Sequence, residues 1–260
     1  MKNKIFSVRI LLLTLFACSF ILYSLDAQKP QKQMWYHWDD LVYPAKVKEY
    51  VEAAKAVNEF LKEQDYPFPM NVFSSDDFHF YYAMPISSYA SLDTLEMLWG
   101  KIFKEVGEEE MAPLWKAFIG TQESTLNRIY VHRPDLSYKA ETSYLGDKEA
   151  NFLQLYIFYP MYGMGMKFEE TCRKWVDLYK SKNIDASYDI YEILEGDQTP
   201  CYFFVMSGVN AADFYAKNME LWEIIKENGK ELQQEMFSLL RKVDVKHLWY
   251  RKGLSYVPGE

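Results

Sequence analysis

The chain has 260 residues, of which 49% are hydrophobic, and its formal net charge at pH 7 is −8. A chain of this length and apolar content can bury a substantial core. The acidic balance provides no basic field to attract phosphate, which disfavours nucleic acid and anionic membranes as partners. Aromatic residues make up 17% of the chain, including 21 tyrosines. This excess indicates either an aromatic core or a pocket for a flat, apolar ligand.

The N-terminus has the pattern of a bacterial secretory signal peptide. A basic segment at residues 1–9 precedes an apolar run at residues 10–23, and residues 24–27 provide a small-residue cleavage site. The apolar run is short for a stable membrane span. We therefore predict cleavage after Ala27 and export to the periplasm or the medium, with no integral membrane segment in the mature protein. The alternatives are a lipoprotein, based on a partial lipobox that ends at Cys18, and an uncleaved anchor.

Apolar periodicity in the rest of the chain predicts two halves with the same order of elements. In the first half we expect strands at 35–43, 70–74, 78–84 and 128–132, a helix at 44–64, and a helix from residue 91 that breaks at Gly107 and resumes to residue 119. In the second half we expect strands at 152–159, 187–194, 201–207 and 246–251, a helix through 168–179, and a long helix that Asn210 caps and whose apolar stripe reaches Val243. Each half has the order βαββαβ.

Two pairs of similar segments indicate an internal repeat. FHFYYAMPISSYASLDTLEMLW at 78–99 is similar to CYFFVMSGVNAADFYAKNMELW at 201–222, and YVHRPDLSY at 130–138 is similar to LWYRKGLSY at 248–256. After the signal peptide, residues 1–27, we therefore predict an α+β fold of two tandem ferredoxin-like units. They occupy residues 28–138 and 151–260, with a linker at 139–150. The bare faces of their antiparallel sheets would pack together into one pseudo-twofold α/β barrel.

This architecture resembles the dimeric α/β-barrel superfamily, here as a fused tandem in one chain. Residues 42–50, VYPAKVKEY, are similar to the V-x-P-G-K-x-x-E-Y opening of small members, with Ala45 in place of the usual glycine. The superfamily includes antibiotic-biosynthesis-type monooxygenases, haem-degrading monooxygenases and chlorite dismutases. The resemblance implies a monooxygenase-like or haem-linked enzyme as one function. It also implies a monomer, because fusion removes the usual reason to dimerise.

The residues themselves predict no cofactor, and haem enters only through the resemblance. The long helix of the second half contains no histidine that could serve as an axial ligand. The histidines and cysteines have no recognisable metal-ligand spacing, so we predict no metal site. After cleavage two cysteines remain, Cys172 on a predicted helix and Cys201 on a predicted strand. They would either pair in an exported protein or remain buried thiols.

Strand alternation assigns the side chains that would face the barrel. We expect a ligand cavity lined by Tyr81, Tyr130, Tyr156, Tyr202 and Tyr250. In the same scheme Leu155, Ile157, Phe203 and His37 face the helices.

Asp40, His79 and His132 are weak catalytic candidates. The scheme places them on three neighbouring strands, facing one cavity. Histidine beside a carboxylate supports general acid–base chemistry or metal binding. Strands two apart are separated by roughly 9–10 Å, however, so ordinary hydrogen-bonded strand residues are the alternative.

Three functions are consistent with the sequence, which contains no P-loop, G-x-G-x-x-G, G-x-S-x-G or H-E-x-x-H motif. The first is an exported protein that holds a small apolar or aromatic ligand in a tyrosine-rich barrel. The second is an enzyme of the monooxygenase-like or haem-linked type. The third is a non-catalytic protein-interaction module.

Overall fold

The computed structural model describes residues 32–259, so the predicted signal peptide lies outside the described residues. Residues from Gln33 onward form one compact unit. Its strands are β1 Met34–Val42, β2 Asn71–Ser75, β3 His79–Ile86, β4 Gln122–His132, β5 Phe152–Pro160, β6 Tyr188–Glu195, β7 Tyr202–Gly208 and β8 Leu240–Tyr250. Its α-helices are α1 Val47–Glu63, α2 Ala90–Val106, α3 Glu108–Lys116, α4 Gly165–Ser181 and α5 Ala211–Ser238. Within these described residues, no helix combines the length and apolar character that a membrane span requires.

The eight strands close into one antiparallel barrel in the order β1-β3-β2-β8-β5-β7-β6-β4, and β4 pairs back with β1. In each half of the chain the first strand lies between the third and the fourth. The halves join where β2 pairs with β8 and where β4 pairs with β6. These two junctions pair the edge strands that separate four-stranded sheets would leave exposed. The predicted α+β fold with an antiparallel barrel is confirmed.

The helices cover the outside of the barrel. Tyr50 and Leu61 on α1, Leu95 on α2 and Met111 on α3 are buried against the strands of the first half. A matching core lies beneath α4 and α5 in the second half, and a third core fills the barrel. The sheet is therefore buried on both faces.

Local sequence explains where several helices begin and end. Gly107, with φ of +91°, ends α2 and allows α3 to start at the next residue. Asn210 caps α5 as predicted, and its side chain accepts a hydrogen bond from the backbone N–H of Asp213 at 2.9 Å.

Two strands are longer than predicted. β4 begins at Gln122 rather than Arg128, and β8 begins at Leu240 rather than Lys246. Val243 is consequently a strand residue and not part of the stripe of α5. The extension of β4 is mostly polar and that of β8 is half polar, so neither has a continuous apolar pattern, and pairing with β1 and β5 stabilises them.

The predicted faces of β5 and β7 are wrong. Leu155, Ile157 and Phe203 pack inside the barrel. Tyr156 and Tyr202 instead join the core beneath α4 and α5. Both faces of these strands are buried and apolar, so alternation of polar and apolar residues does not distinguish them.

The same inversion affects β1. Trp38 and Asp40 face the helices, whereas Trp35, His37 and Asp39 face the barrel. The prediction that Asp40 points into the barrel is therefore wrong.

Cys172 and Cys201 are buried free thiols. Cys172 lies in the core beneath α4 and α5, and Cys201 lies in the barrel core. A disulfide, one of the two predicted alternatives, is wrong because the sheet separates the two side chains.

Candidate functional site

A cavity of about 650 Å³ lies between the outer face of strands β1, β3 and β4 and helices α1, α2 and α3. We call it the outer pocket. Its volume is in the usual range for small-molecule sites. Five aromatic side chains of its wall are Trp38, Tyr82, Trp99, Trp115 and Phe118. The Trp38 and Tyr82 rings are stacked with centroids 4.9 Å apart, which provides a flat apolar wall.

A buried hydrogen-bonded cluster forms the polar part of this wall. The Tyr50 hydroxyl lies 2.6 Å from Asp40 Oδ2 and 2.8 Å from the Tyr82 hydroxyl. The Thr125 hydroxyl donates to Asp40 Oδ1 at 2.6 Å. Tyr50 has a single hydroxyl hydrogen, so when it donates to Asp40 it accepts from Tyr82. The cluster is a short hydrogen-bonded chain that ends at a carboxyl group.

The environment of Asp40 favours its neutral form. Burial raises the pKa of this carboxyl above its usual value, against the opposing effect of the hydrogen bonds from Thr125 and Tyr50. Burial also raises the pKa of the Tyr50 and Tyr82 hydroxyls, which stay protonated. Gln122 contributes a further buried acceptor, because its Oε1 has no hydrogen-bond partner among the described residues.

The barrel itself encloses a cavity of only about 170 Å³, which we call the barrel cavity. Tyr81 and Tyr130 line it, as their predicted inward orientation requires. Tyr250 lies beside Phe73, with ring centroids 5.5 Å apart, but outside the set of residues that line the cavity.

The other two predicted ligand-binding tyrosines lie outside the barrel. Tyr156 lines a separate cavity of about 280 Å³ beneath α4 and α5. The Tyr202 hydroxyl donates to Glu169 Oε1 at 3.1 Å. Their expected position in the barrel is wrong, because the faces of β5 and β7 are inverted.

The three catalytic candidates do not come together. His79 Nδ1 lies 2.6 Å from Asp39 Oδ1, and His132 Nε2 lies 2.8 Å from Asp189 Oδ1. Asp40 is on the opposite face of the sheet. Across residues 32–259, no group of three or more histidine, cysteine or acidic side chains could hold a metal ion.

The residues that line the outer pocket and the cavity beneath α4 and α5 do not fit a histidine-ligated haem. Neither the outer pocket nor the cavity beneath α4 and α5 has a histidine among the described residues that line it. His37 lines only the smaller barrel cavity.

Tyr50, Tyr82 and Thr125 are the site residues that the sequence analysis missed. Tyr50 lies on the helix predicted at residues 44–64. Its hydroxyl, on a helix face that must be fully buried, is the signal that could have indicated a polar partner on the sheet.

No family model and no curated protein matches this chain. Several solved structures are similar to most of it. A "putative monooxygenase" from Lactobacillus acidophilus NCFM has a TM-score of 0.52 at 11% identity, over 88% of this chain and 97% of that one. An anthrone oxidase-like protein has a TM-score of 0.59 at 11% identity, over 89% of this chain and 95% of that one. A "putative monooxygenase" from Fusobacterium nucleatum subsp. nucleatum ATCC 25586 has a TM-score of 0.54 at 8% identity, over 86% of this chain and 94% of that one.

At these identities the likeness shows the fold alone. The fold of this chain is therefore similar to that of these structures, in agreement with the barrel architecture expected from the sequence.

Proposed function

We propose that the protein binds a small, neutral aromatic molecule in the outer pocket, with a polar group of the ligand directed at Asp40. The observation that carries this proposal is an aromatic cavity of about 650 Å³ with one buried carboxyl in its wall. The ligand class expected from the sequence is retained, but its site moves from the barrel to the outer pocket.

The lining chemistry narrows the ligand class. Among the described residues that line the outer pocket, Asp40 is the one carboxylic acid and there is no lysine or arginine. An anionic ligand would meet no compensating charge there. A phenolic or similar hydroxyl could donate to Asp40 or to the free Gln122 Oε1.

Titration with 2-naphthol, followed by calorimetry, tests the site. Ala54 lines the outer pocket from α1, and Ala54→Leu should fill part of the cavity and reduce affinity at least about tenfold. Ala83→Leu, which alters the barrel cavity instead, is the matched control and should bind normally. Equal affinity of wild type and Ala54→Leu would show that the ligand binds elsewhere.

The second candidate function is a cofactor-free oxidation, which the raised pKa of Asp40 favours. A carboxylate whose pKa is raised is a stronger base, so Asp40 could accept a proton from a bound substrate. Its conjugate acid would hold the proton taken from an acidic C–H or O–H group, and dioxygen would then oxidise the resulting anion. Two similar structures are named as a monooxygenase and as an anthrone oxidase-like protein, and both names refer to oxidation reactions.

Anthrone with dioxygen provides a balanced test reaction, since one molecule of each gives anthraquinone and water. Anthraquinone formation is followed by absorbance and dioxygen consumption by an electrode. An enzyme should turn over and should lose its rate in Asp40→Asn. Binding of anthrone without any increase over the uncatalysed rate would leave ligand binding as the function.

We further propose that the halves are tandem ferredoxin-like units, residues 28–138 and 151–260, an inference that their common strand order supports. We propose that the mature protein is a monomer, since both edges of each four-stranded sheet are paired within the chain. Light scattering on the purified mature protein tests this, and a dimer mass would contradict it.

Export is proposed from the N-terminal sequence. Expression of the full chain in a bacterial host should yield a periplasmic product that begins at Gln28. A product that partitions into detergent and carries lipid on Cys18 would instead support the lipoprotein alternative.

A further inference from the structure

We propose that the barrel cavity is a second binding site, specific for a neutral single-ring phenol that hydrogen-bonds to Trp35 and His37. This site is separate from the outer pocket, on the opposite face of the sheet. It takes a smaller ligand than the outer pocket and does not depend on the function proposed for that pocket.

Two buried polar atoms of the cavity wall lack partners. Trp35 Nε1 and His37 Nδ1 have no hydrogen-bond partner among the described residues. Both side chains line the barrel cavity and lie two residues apart on the inner face of β1. His37 is 4% exposed. Buried donors and acceptors are almost always paired, so two unpaired atoms on one cavity indicate a polar partner inside it.

The chemistry of the two atoms defines that partner. Burial, together with the nearby Arg128, lowers the pKa of His37 to about 3, so its imidazole is neutral at physiological pH. A neutral imidazole has one donor and one acceptor nitrogen, and the indole N–H of Trp35 only donates. A hydroxyl group meets both needs: its oxygen accepts from Trp35, and its hydrogen is donated to His37.

The rest of the wall is aromatic. The His37 ring stacks on Tyr81 with centroids 5.7 Å apart, and the Trp35 ring stacks on Tyr130 at 6.4 Å. Phe203 presents its edge to His37 at 6.2 Å. Such surfaces favour a flat ring, by stacked or edge-on contact.

The volume sets the size of the ligand. The barrel cavity holds about 170 Å³. An apolar cavity of about 150 Å³ is known to bind benzene, so one six-membered ring fits here. The outer pocket, at about 650 Å³, has nearly four times this volume. The barrel cavity therefore suits a smaller ligand than the one proposed for the outer pocket.

The charged groups farther along the barrel do not call for a charged ligand. Arg128 lies 3.3 Å from Asp39 Oδ2 and 3.0 Å from Asp197 Oδ2, and Asp39 also pairs with His79. These charges satisfy one another. The cavity beside them therefore suits a neutral molecule, since an additional buried charge would have no partner.

Fluorine NMR titration with 4-fluorophenol tests this site in the mature full-length protein. Ala83 lies opposite Asn71 and His37 in the strand register, so Ala83→Leu projects extra atoms into the barrel cavity. We expect at least a tenfold loss of affinity in Ala83→Leu and no loss in Ala54→Leu, which alters the outer pocket. Trp35→Phe removes the indole N–H and should weaken binding about fivefold.

The outcomes separate the two sites. Loss of 4-fluorophenol binding in Ala54→Leu but not in Ala83→Leu would place the phenol in the outer pocket and overturn the proposal. Absence of binding at millimolar phenol would show that the barrel cavity takes water only, and would also overturn it. If circular dichroism shows that Ala83→Leu does not fold, Ala83→Val and Trp35→Phe replace it, and both should bind 4-fluorophenol more weakly than the wild type. Binding of 2-naphthol to these variants reports on the outer pocket independently.

Discussion

Asp39 and Asp40 are adjacent on β1 but serve opposite faces of the sheet. Asp39 faces the barrel, where it pairs with His79 at 2.6 Å and with Arg128 at 3.3 Å. Asp40 faces the outer pocket, where its hydrogen-bond partners are the neutral hydroxyls of Tyr50 and Thr125. One carboxylate is thus compensated by charge and the other is not. This difference assigns Asp39 to the structural ion network and Asp40 to the candidate site.

Asp40→Asn should change how stability depends on pH. Folding raises the pKa of Asp40 above its usual 3.8, so protonation of this group favours the folded state. The stability that Asp40 contributes is complete below pH 3.8 and is lost as pH rises through the pKa of Asp40 in the folded protein. We therefore expect the free energy of unfolding of the wild type, relative to Asp40→Asn, to fall as pH rises through this window. Urea unfolding at intervals from pH 3 to 7 measures it, and a constant difference would contradict the prediction.

His37→Phe should have an effect of the opposite sign. The pKa of His37 falls from 6.5 to about 3 on folding, so the unfolded state binds the proton preferentially. The wild type should lose stability from this group as pH falls below 6.5, by up to about 1.4 kcal/mol per pH unit. His37→Phe should lack this pH-dependent loss of stability. Unfolding curves at pH 7, 6 and 5 compare the two, and parallel slopes for both proteins would refute the assigned burial of His37.

Gly196→Ala should be far more destabilising than Gly120→Ala. Both glycines have positive φ, +88° and +73°, which costs an alanine about 1–2 kcal/mol. A Cβ at Gly196 would also clash with the backbone oxygen of Asn127, whereas a Cβ at Gly120 meets open space. We expect a loss of about 1–2 kcal/mol for Gly120→Ala and more than about 4 kcal/mol for Gly196→Ala. Thermal and urea unfolding measure the stability of both variants. Similar losses would contradict the close approach of Gly196 to Asn127 on β4.

Cys172 and Cys201 should resist alkylation in the folded protein. Both are buried, and burial raises the pKa of both thiols, which lowers their reactive thiolate fraction. Without reductant, iodoacetamide should leave the native protein unmodified and should label both cysteines after unfolding in urea. Mass spectrometry counts the adducts. A protein purified from an oxidising compartment that stays unlabelled when unfolded would instead contain the disulfide.

The outlines of the fold were accessible from sequence because they depend on local periodicity. Apolar spacing of three and four residues predicts α1 and α5, and the similarity of residues 78–99 to 201–222 predicts that β3–α2 and β7–α5 are equivalent. The inward orientation of Tyr81 and Tyr130 was predicted correctly, whereas Tyr156 and Tyr202 were placed on the wrong face.

The sequence by itself determined the element order, the α+β barrel architecture and the aromatic character of the interior spaces. Only the tertiary structure decided which face of β1, β5 and β7 meets the helices, and therefore that Asp40 lies beside Tyr50 rather than beside His79. The physical reason is that these strands are buried on both faces. With apolar residues on each side, a shift of one residue exchanges the two faces without changing the pattern, and only the packing of helices against the sheet selects between them.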